Sequence, residues 1–220
     1  MRNEDKIIVA IDTDDLSRAK KLVKTLWPRV KFFKIGLEII NTGQAPELIK
    51  FIKKLGGKVF YDAKLNDIPN TVGGAVKVIS DLGVWGFTVH SSSGREVIRA
   101  AVAKKGKAKV IGVTTLTSIA SVSRRNIIKS AEMLVEEGVD GIVCSVQEVN
   151  FLKKFKKILI TPGLRPAWAN SNEQKRIATP REAIKAGADY LVIGRPITEP
   201  PVGMSQGGAL GLILEEISMK

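Results

Sequence analysis

Eight short, near-continuous apolar runs punctuate the sequence, at residues 7–11, 31–35, 58–61, 86–90, 109–113, 141–143, 157–160 and 190–193, and no other feature constrains the fold as much. Between them lie stretches such as 16–26, 45–55, 94–104, 127–137 and 180–186, where apolar residues recur three and four positions apart, the spacing of one helix face. Strands covered on both faces read as unbroken apolar runs, whereas strands with one wet face alternate. The pattern therefore predicts a parallel sheet covered by helices. Eight β-then-α units in 220 residues suit a closed (β/α)8 TIM barrel, an α/β fold, with an open doubly wound sheet as the competing topology. Gly56-Gly57, Gly83, Gly138 and Gly187 each follow a helical stretch, where helix-ending glycines stand.

A hydrophobic content of 44% is enough for one core, and with no linker or low-complexity tract a single domain over residues 1–220 is expected. No apolar run approaches the roughly 18 residues that a membrane helix needs. The first residues lack the long apolar region and cleavage site of a secretory leader, so a cytoplasmic protein is expected. Cys144, the one cysteine, cannot form an intrachain disulfide and lies in an apolar run, where packing is its expected role. Lys and Arg number 35 against 22 Asp and Glu, and the net charge of +13 favours an anionic partner. Charge alone does not choose between a phosphorylated metabolite and a nucleic acid.

In a barrel of this kind the site lies at the C-terminal ends of the strands. Asp12 follows the first apolar run, Lys34 ends the second, Asp62 and Lys64 follow the third, His90 ends the fourth and Thr114 to Ser118 follow the fifth. Asp62 and Lys64 stand two apart on a strand and so face the same way, and Asp67 follows on the loop. Taken singly, such charges serve equally well as solvated loop residues or a structural ion pair. As a set, two carboxylates near one lysine favour its ammonium form, which suits a proton donor and not a Schiff-base amine. The eighth run ends in Ile193-Gly194-Arg195, where such barrels often bind phosphate: glycine lets the backbone approach and arginine offers a bidentate fork. The long seventh loop, 161–179, carries Arg165, Gln174, Lys175 and Arg176 and suits a lid over an anionic ligand, although an ordinary exposed loop would look similar.

Asp62-Ala63-Lys64-Leu65-Asn66-Asp67-Ile68-Pro69-Asn70-Thr71-Val72 closely resembles the signature of the orotidine 5′-monophosphate decarboxylases. Asp12, Lys34, Thr117, the run Thr161-Pro162-Gly163-Leu164-Arg165-Pro166 and the run Ile193-Gly194-Arg195-Pro196-Ile197-Thr198 extend the resemblance over essentially the whole chain, with a seventh loop like that of the bacterial branch. The resemblance implies a cofactor-free, metal-free decarboxylase that converts orotidine 5′-monophosphate to uridine 5′-monophosphate in pyrimidine biosynthesis. It implies a homodimer with shared sites, into which Asp67, Ile68 and Thr71 reach from the partner. Lys64 would protonate the C6 carbanion, within an array of alternating charge formed by Lys34, Asp62, Lys64 and Asp67. Asp62 would stand beside the substrate carboxylate, and Asp12, Lys34 and the partner-directed Asp67 would face the ribose. Thr117 would contact the pyrimidine and Gln174 would link base and phosphate. Pro162 would line the substrate site, and Arg165, Gly194 and Arg195 would hold the phosphate.

Two other functions compete. Sugar-phosphate decarboxylases such as those acting on 3-keto-L-gulonate 6-phosphate share the Asp-x-Lys-x-x-Asp pattern but use magnesium; Ile68-Pro69-Asn70-Thr71 and the Arg165/Gln174 loop favour the nucleotide enzyme. A nucleic-acid-binding protein would explain the charge and basic runs such as 153–157, yet no helix-turn-helix, zinc-finger or aromatic RNA-binding signature accompanies them. No specific nucleic-acid binding is therefore expected. His90 reads as a hydrogen-bonded rim residue, Trp27 and Trp85 as packing residues, and Trp168 as part of the lid.

Overall fold

The computed structural model describes residues 2–115, 122–169 and 178–219. Its strands are β1 (Ile7–Ile11), β2 (Phe32–Ile35), β3 (Lys58–Leu65), β4 (Gly86–His90), β5 (Lys109–Val113), β6 (Gly141–Val143), β7 (Ile158–Thr161) and β8 (Tyr190–Ile193). The helices are α1 (Leu16–Leu26), α2 (Leu37–Asn41), α3 (Ala45–Lys54), α4 (Pro69–Asp81), α5 (Arg95–Lys104), α6 (Arg124–Glu136), α7 (Val146–Leu152), α8 (Pro180–Ala186), α9 (Arg195–Thr198) and α10 (Gln206–Ser218). Each strand pairs in parallel with the next, and β1 pairs with β8, so the sheet closes into a (β/α)8 TIM barrel. The doubly wound topology is thereby set aside.

Side-chain alternation along the strands builds two apolar layers. Ile7, Val9, Ile11, Phe33, Ile35, Val59, Phe87 and Val89 point outward and pack against the helices. Ile8, Ala10, Phe32, Phe60, Ile111, Ile160 and Val192 point inward and fill the barrel. Towards the N-terminal ends of the strands, Phe32, Phe60, Trp85 and Tyr190 close the interior with ring-to-ring contacts of 5.1–5.9 Å, in the edge-on and tilted geometries that aromatic quadrupoles favour. Trp85 thus packs as expected. Cys144 is fully buried, and that burial pushes its thiol well above the ordinary range, which fits packing.

Several boundaries differ from the sequence expectation for identifiable reasons. Helix α6 starts three residues earlier than the apolar spacing suggests, because the Ser123 hydroxyl accepts from the Asn126 backbone N–H (3.2 Å) and caps it. Helix α4 was not apparent from spacing alone: Gly73 and Gly74 interrupt its middle, where each weakens a helix by about 1 kcal/mol relative to alanine. Strand β3 runs to Leu65 instead of stopping at Tyr61, through a register shift against β4 between those two residues.

One close approach is set by glycine. A Cβ added at Gly141 would stand 2.8 Å from the Ile158 carbonyl oxygen and 2.9 Å from Ile111 Cδ1, so β6 could not keep its place beside β7. Gly141→Ala is expected to destabilise the barrel by about 1–3 kcal/mol, read as a lower urea midpoint with an unchanged slope; an unchanged midpoint would contradict the tight packing at this junction.

Candidate functional site

The inward-facing layer continues past the apolar residues into polar ones. Moving two positions along each strand, Ala10 leads to Asp12, Phe32 to Lys34, and Phe60 to Asp62. Because β1, β2 and β3 are neighbours, these side chains meet. Lys34 Nζ stands 3.1 Å from Asp12 Oδ1 and 3.5 Å from Asp62 Oδ2, and Lys64 Nζ stands 2.9 Å from Asp62 Oδ1. The result is a chain of alternating charge, Asp12–Lys34–Asp62–Lys64. Gly36 borders it: a Cβ there would come within 3.2 Å of Asp12 Oδ1 and 3.4 Å of Lys34 Nζ.

Asp62 is the most enclosed acid of the set, with 13% of its side chain exposed. Burial by itself pushes its carboxyl up. The charges of Lys34 and Lys64, with hydrogen bonds from Lys64 and Thr88, outweigh that and hold it below the ordinary carboxylate range. Lys64 has an unusual backbone for a residue with a side chain, with φ +50°. A left-handed residue of this kind costs of order 1–3 kcal/mol and persists only where the surroundings impose it. Here it lies in the irregular stretch of β3 opposite β4, and its N–H donates to Thr88 Oγ1 (2.7 Å) instead of to a strand carbonyl.

A cavity of about 160 Å³ opens beside the array, lined by Lys34, Asp62 and Lys64 on one side and by Phe60, Val113, Val143, Ile160, Pro162 and Val192 on the other. An apolar wall facing convergent charges suits a flat ring that carries an ionic group. Gly194 adjoins the same region, since a Cβ there would lie 3.5 Å from Ala10 Cβ and 3.6 Å from Asp12 Oδ2. Arg195 follows at the exposed start of α9. Arg165 is buried at the base of the seventh loop, where its backbone N–H donates to the Ala178 carbonyl (3.0 Å) and Leu164 bridges to Ala178. Trp168 packs against the main core.

The structure therefore brings together Asp12, Lys34, Asp62, Lys64, Pro162 and Gly194. It does not bring Asp67, Ile68 and Thr71 to this cluster. All three are exposed, Ile68 to 64%, and the Asp67 carboxylate accepts from the Ile68 backbone N–H (2.6 Å). The second carboxylate expected beside Lys64 is thus not its own chain's Asp67, which lies exposed at a bend just past the end of β3. Thr117 and Gln174 lie outside the described residues.

One neighbour of the array was not singled out as a site residue. Thr88 is fully buried and its hydroxyl donates to Asp62 Oδ1 (3.0 Å). It stands between Gly86 and His90 at the inward-facing position of β4, a signal that the alternation of Phe87 and Val89 toward the helices could have supplied. Thr115, two beyond Val113, joins the cavity wall. His90 shares its Nδ1 with Ser92 Oγ (2.7 Å); burial, then the Lys64 charge, hold it below its ordinary value of 6.5, which keeps the ring neutral at pH 7.

Known proteins resemble this chain in sequence and fold. The family described as orotidine 5'-phosphate decarboxylase / HUMPS matches residues 5–202. The orotidine 5'-phosphate decarboxylase of Syntrophomonas wolfei is 40% identical, over 90% of this chain and 93% of the relative. That of Nostoc sp. is 42% identical, over 89% and 91%. Among solved structures, the orotidine 5'-phosphate decarboxylase of Lactobacillus acidophilus superposes with a TM-score of 0.80 at 30% identity, covering 98% of this chain and all of that one. A barrel with this ionic array, matched over nearly its full length, belongs to the orotidine 5'-phosphate decarboxylase / HUMPS family.

Proposed function

We propose that this chain is a cytoplasmic orotidine 5′-phosphate decarboxylase that works without metal or organic cofactor, as one barrel domain, and completes its site by dimerising. The observation that carries the reading is the Lys34–Asp62–Lys64 ion chain facing an apolar pocket of ring dimensions. With the pyrimidine in that pocket, the bond between C6 and the carboxylate breaks, carbon dioxide leaves, and the electron pair stays on C6. The Lys64 ammonium stabilises that charge as it develops and then transfers a proton to C6, giving uridine 5′-monophosphate. Asp62 stays ionised beside the departing carboxylate, where repulsion is relieved as carbon dioxide forms, while Lys34 and Asp12 face the ribose.

A magnesium-dependent sugar-phosphate decarboxylase fits this array less well. Lys34 already bridges Asp12 and Asp62, the position that a divalent cation would take between two carboxylates. The family match likewise gives no support to a nucleic-acid-binding role.

Phosphate binding falls to Arg165, Gly194 and Arg195, with Gln174 linking phosphate to base and Thr117 against the pyrimidine. Binding energy gathered so far from C6 assists loop closure and desolvation of the ring, so it acts on turnover. Dimerisation is supported by the exposed Ile68, Thr71 and Val78 at the start and along one side of α4, two of them large apolar side chains each 64% exposed. In that arrangement Asp67, Ile68 and Thr71 enter the partner's site, and the partner's copy of that acid completes the charge array at Lys64.

Turnover is read from the ultraviolet absorbance of orotidine 5′-monophosphate. Wild-type activity should be unaffected by EDTA, and Lys64→Ala should lose about ten-thousandfold or more in kcat; chelator sensitivity or an unimpaired variant would contradict the mechanism. Arg195→Ala should lower kcat as well as raise KM, and a change in KM alone would contradict the coupling of phosphate to chemistry. Mixing inactive Lys64→Ala with inactive Asp67→Ala protein should regain activity once subunits exchange, because hybrid dimers hold one intact site; no recovery despite exchange would refute shared sites. His90, neutral and outside proton donation, should tolerate His90→Asn within about threefold in kcat. Its folded pKa lies below the unfolded 6.5, so the unfolded state takes up the proton first and wild-type stability should fall as pH drops below about 6.5. The melting temperature of His90→Asn should be flatter across that range, and parallel profiles would contradict the assignment.

A further inference from the structure

We propose that Thr88 is a positioning residue for the decarboxylation, its hydroxyl fixing the Asp62 carboxylate and the Lys64 backbone as one unit. The inference rests on the function proposed above. Thr88 Oγ1 accepts from the Lys64 backbone N–H (2.7 Å) and donates to Asp62 Oδ1 (3.0 Å), and that same oxygen accepts from Lys64 Nζ (2.9 Å). The four groups close a ring: amide, hydroxyl, carboxylate and ammonium. A hydroxyl has one proton, and with a lone pair committed to the Lys64 N–H that proton goes to Asp62. Every bond in the ring therefore has a fixed direction.

The backbone explains why β3 needs such a partner. Tyr61 pairs with Phe87 and Leu65 with Val89, so Thr88 alone stands opposite Asp62, Ala63 and Lys64. A regular parallel ladder sets one residue against one. The surplus residues let β3 turn Lys64 into a left-handed conformation, φ +50°, and leave its N–H needing an acceptor. Thr88 supplies it from a side chain with no exposed surface, so water does not compete. Without the hydroxyl, the amide and Asp62 Oδ1 each lose a partner, and the strand can relax toward a conformation that moves Nζ relative to C6. Displacement on the scale of 1 Å can cost a hundredfold in rate.

The test separates the hydroxyl from the bulk. Thr88→Ser keeps the hydroxyl and loses the methyl, Thr88→Val keeps the shape and loses the hydroxyl, and Thr88→Ala loses both; kcat, KM and melting temperature are measured for each beside wild type. Thr88→Ser should stay within about threefold of wild-type kcat, while Thr88→Val and Thr88→Ala should fall at least about tenfold with little change in KM. The acid limb of kcat should also move to higher pH in those two, because Asp62 loses a donor to its ionised form. If Thr88→Val does not fold, the Ser and Ala pair, which differ only in the oxygen, decides the matter. Equal kcat across the series, or kcat that follows the methyl instead of the hydroxyl, would overturn the inference. Lack of turnover by wild type would defeat the proposed function itself, a result distinct from hydroxyl-independent turnover.

Discussion

One carboxylate between two ammonium groups organises this protein's site. Asp62 is largely withdrawn from water, and an ion so placed suffers a desolvation penalty of several kcal/mol. Lys34 at 3.5 Å and Lys64 at 2.9 Å each return an attraction of comparable size at the effective dielectric of a protein interior, about 4 kcal/mol at 4 Å. Together the two cations offset that penalty, and removing either leaves the carboxylate with one ammonium partner in place of two. The structural consequence is that the Lys64 side chain is anchored at a defined place by Asp62, 2.9 Å from its carboxylate.

The barrel makes that arrangement possible by parity. Inward positions of β1, β2 and β3 are apolar through Ile8, Ala10, Phe32 and Phe60, and become ionic two residues later at Asp12, Lys34 and Asp62. The apolar layer beneath excludes water from the underside of the array, and the aromatic plug of Phe32, Phe60, Trp85 and Tyr190 closes the far end. Stability and function thus occupy successive layers of one interior, and the strain at Lys64 is concentrated where the layers meet. The same strand that places Lys64 then delivers Asp67 and Ile68 to the surface within four residues, so one segment serves two faces of the molecule.

Much of this was legible in the sequence because it depends on local periodicity. Eight unbroken apolar runs report strands covered on both sides, and the polar residues just beyond them mark the rim that carries the charged array; Asp12, Lys34, Asp62 and Lys64 all follow from that. What the periodicity does not carry is the irregular part. The extension of β3 to Leu65 depends on a register shift and a left-handed lysine, neither of which has a residue-type signature: a glycine or asparagine would have advertised such a turn, and a lysine does not. Thr88 was missed because a threonine in an apolar strand reads as a β-former, and its value lies in what a neighbouring strand places opposite it. Asp67 was expected beside Lys64 from sequence spacing, but spacing does not report the bend at Asp67, past the end of β3, that separates them within one chain. Helix α4 was obscured by Gly73, which faces Ala100 and Lys104 of α5, and by the exposed Gly74.

The central claim, that Lys64 is the acid that serves C6, has a direct test in the reverse direction. A group that delivers a proton to C6 must also remove it from the product, by microscopic reversibility. Uridine 5′-monophosphate incubated with the protein in heavy water, followed by proton magnetic resonance, should lose its C6 hydrogen signal to deuterium with wild type and keep it with Lys64→Ala. Exchange at the wild-type rate by Lys64→Ala, or no exchange by a wild-type enzyme that turns over orotidine 5′-monophosphate, would contradict it.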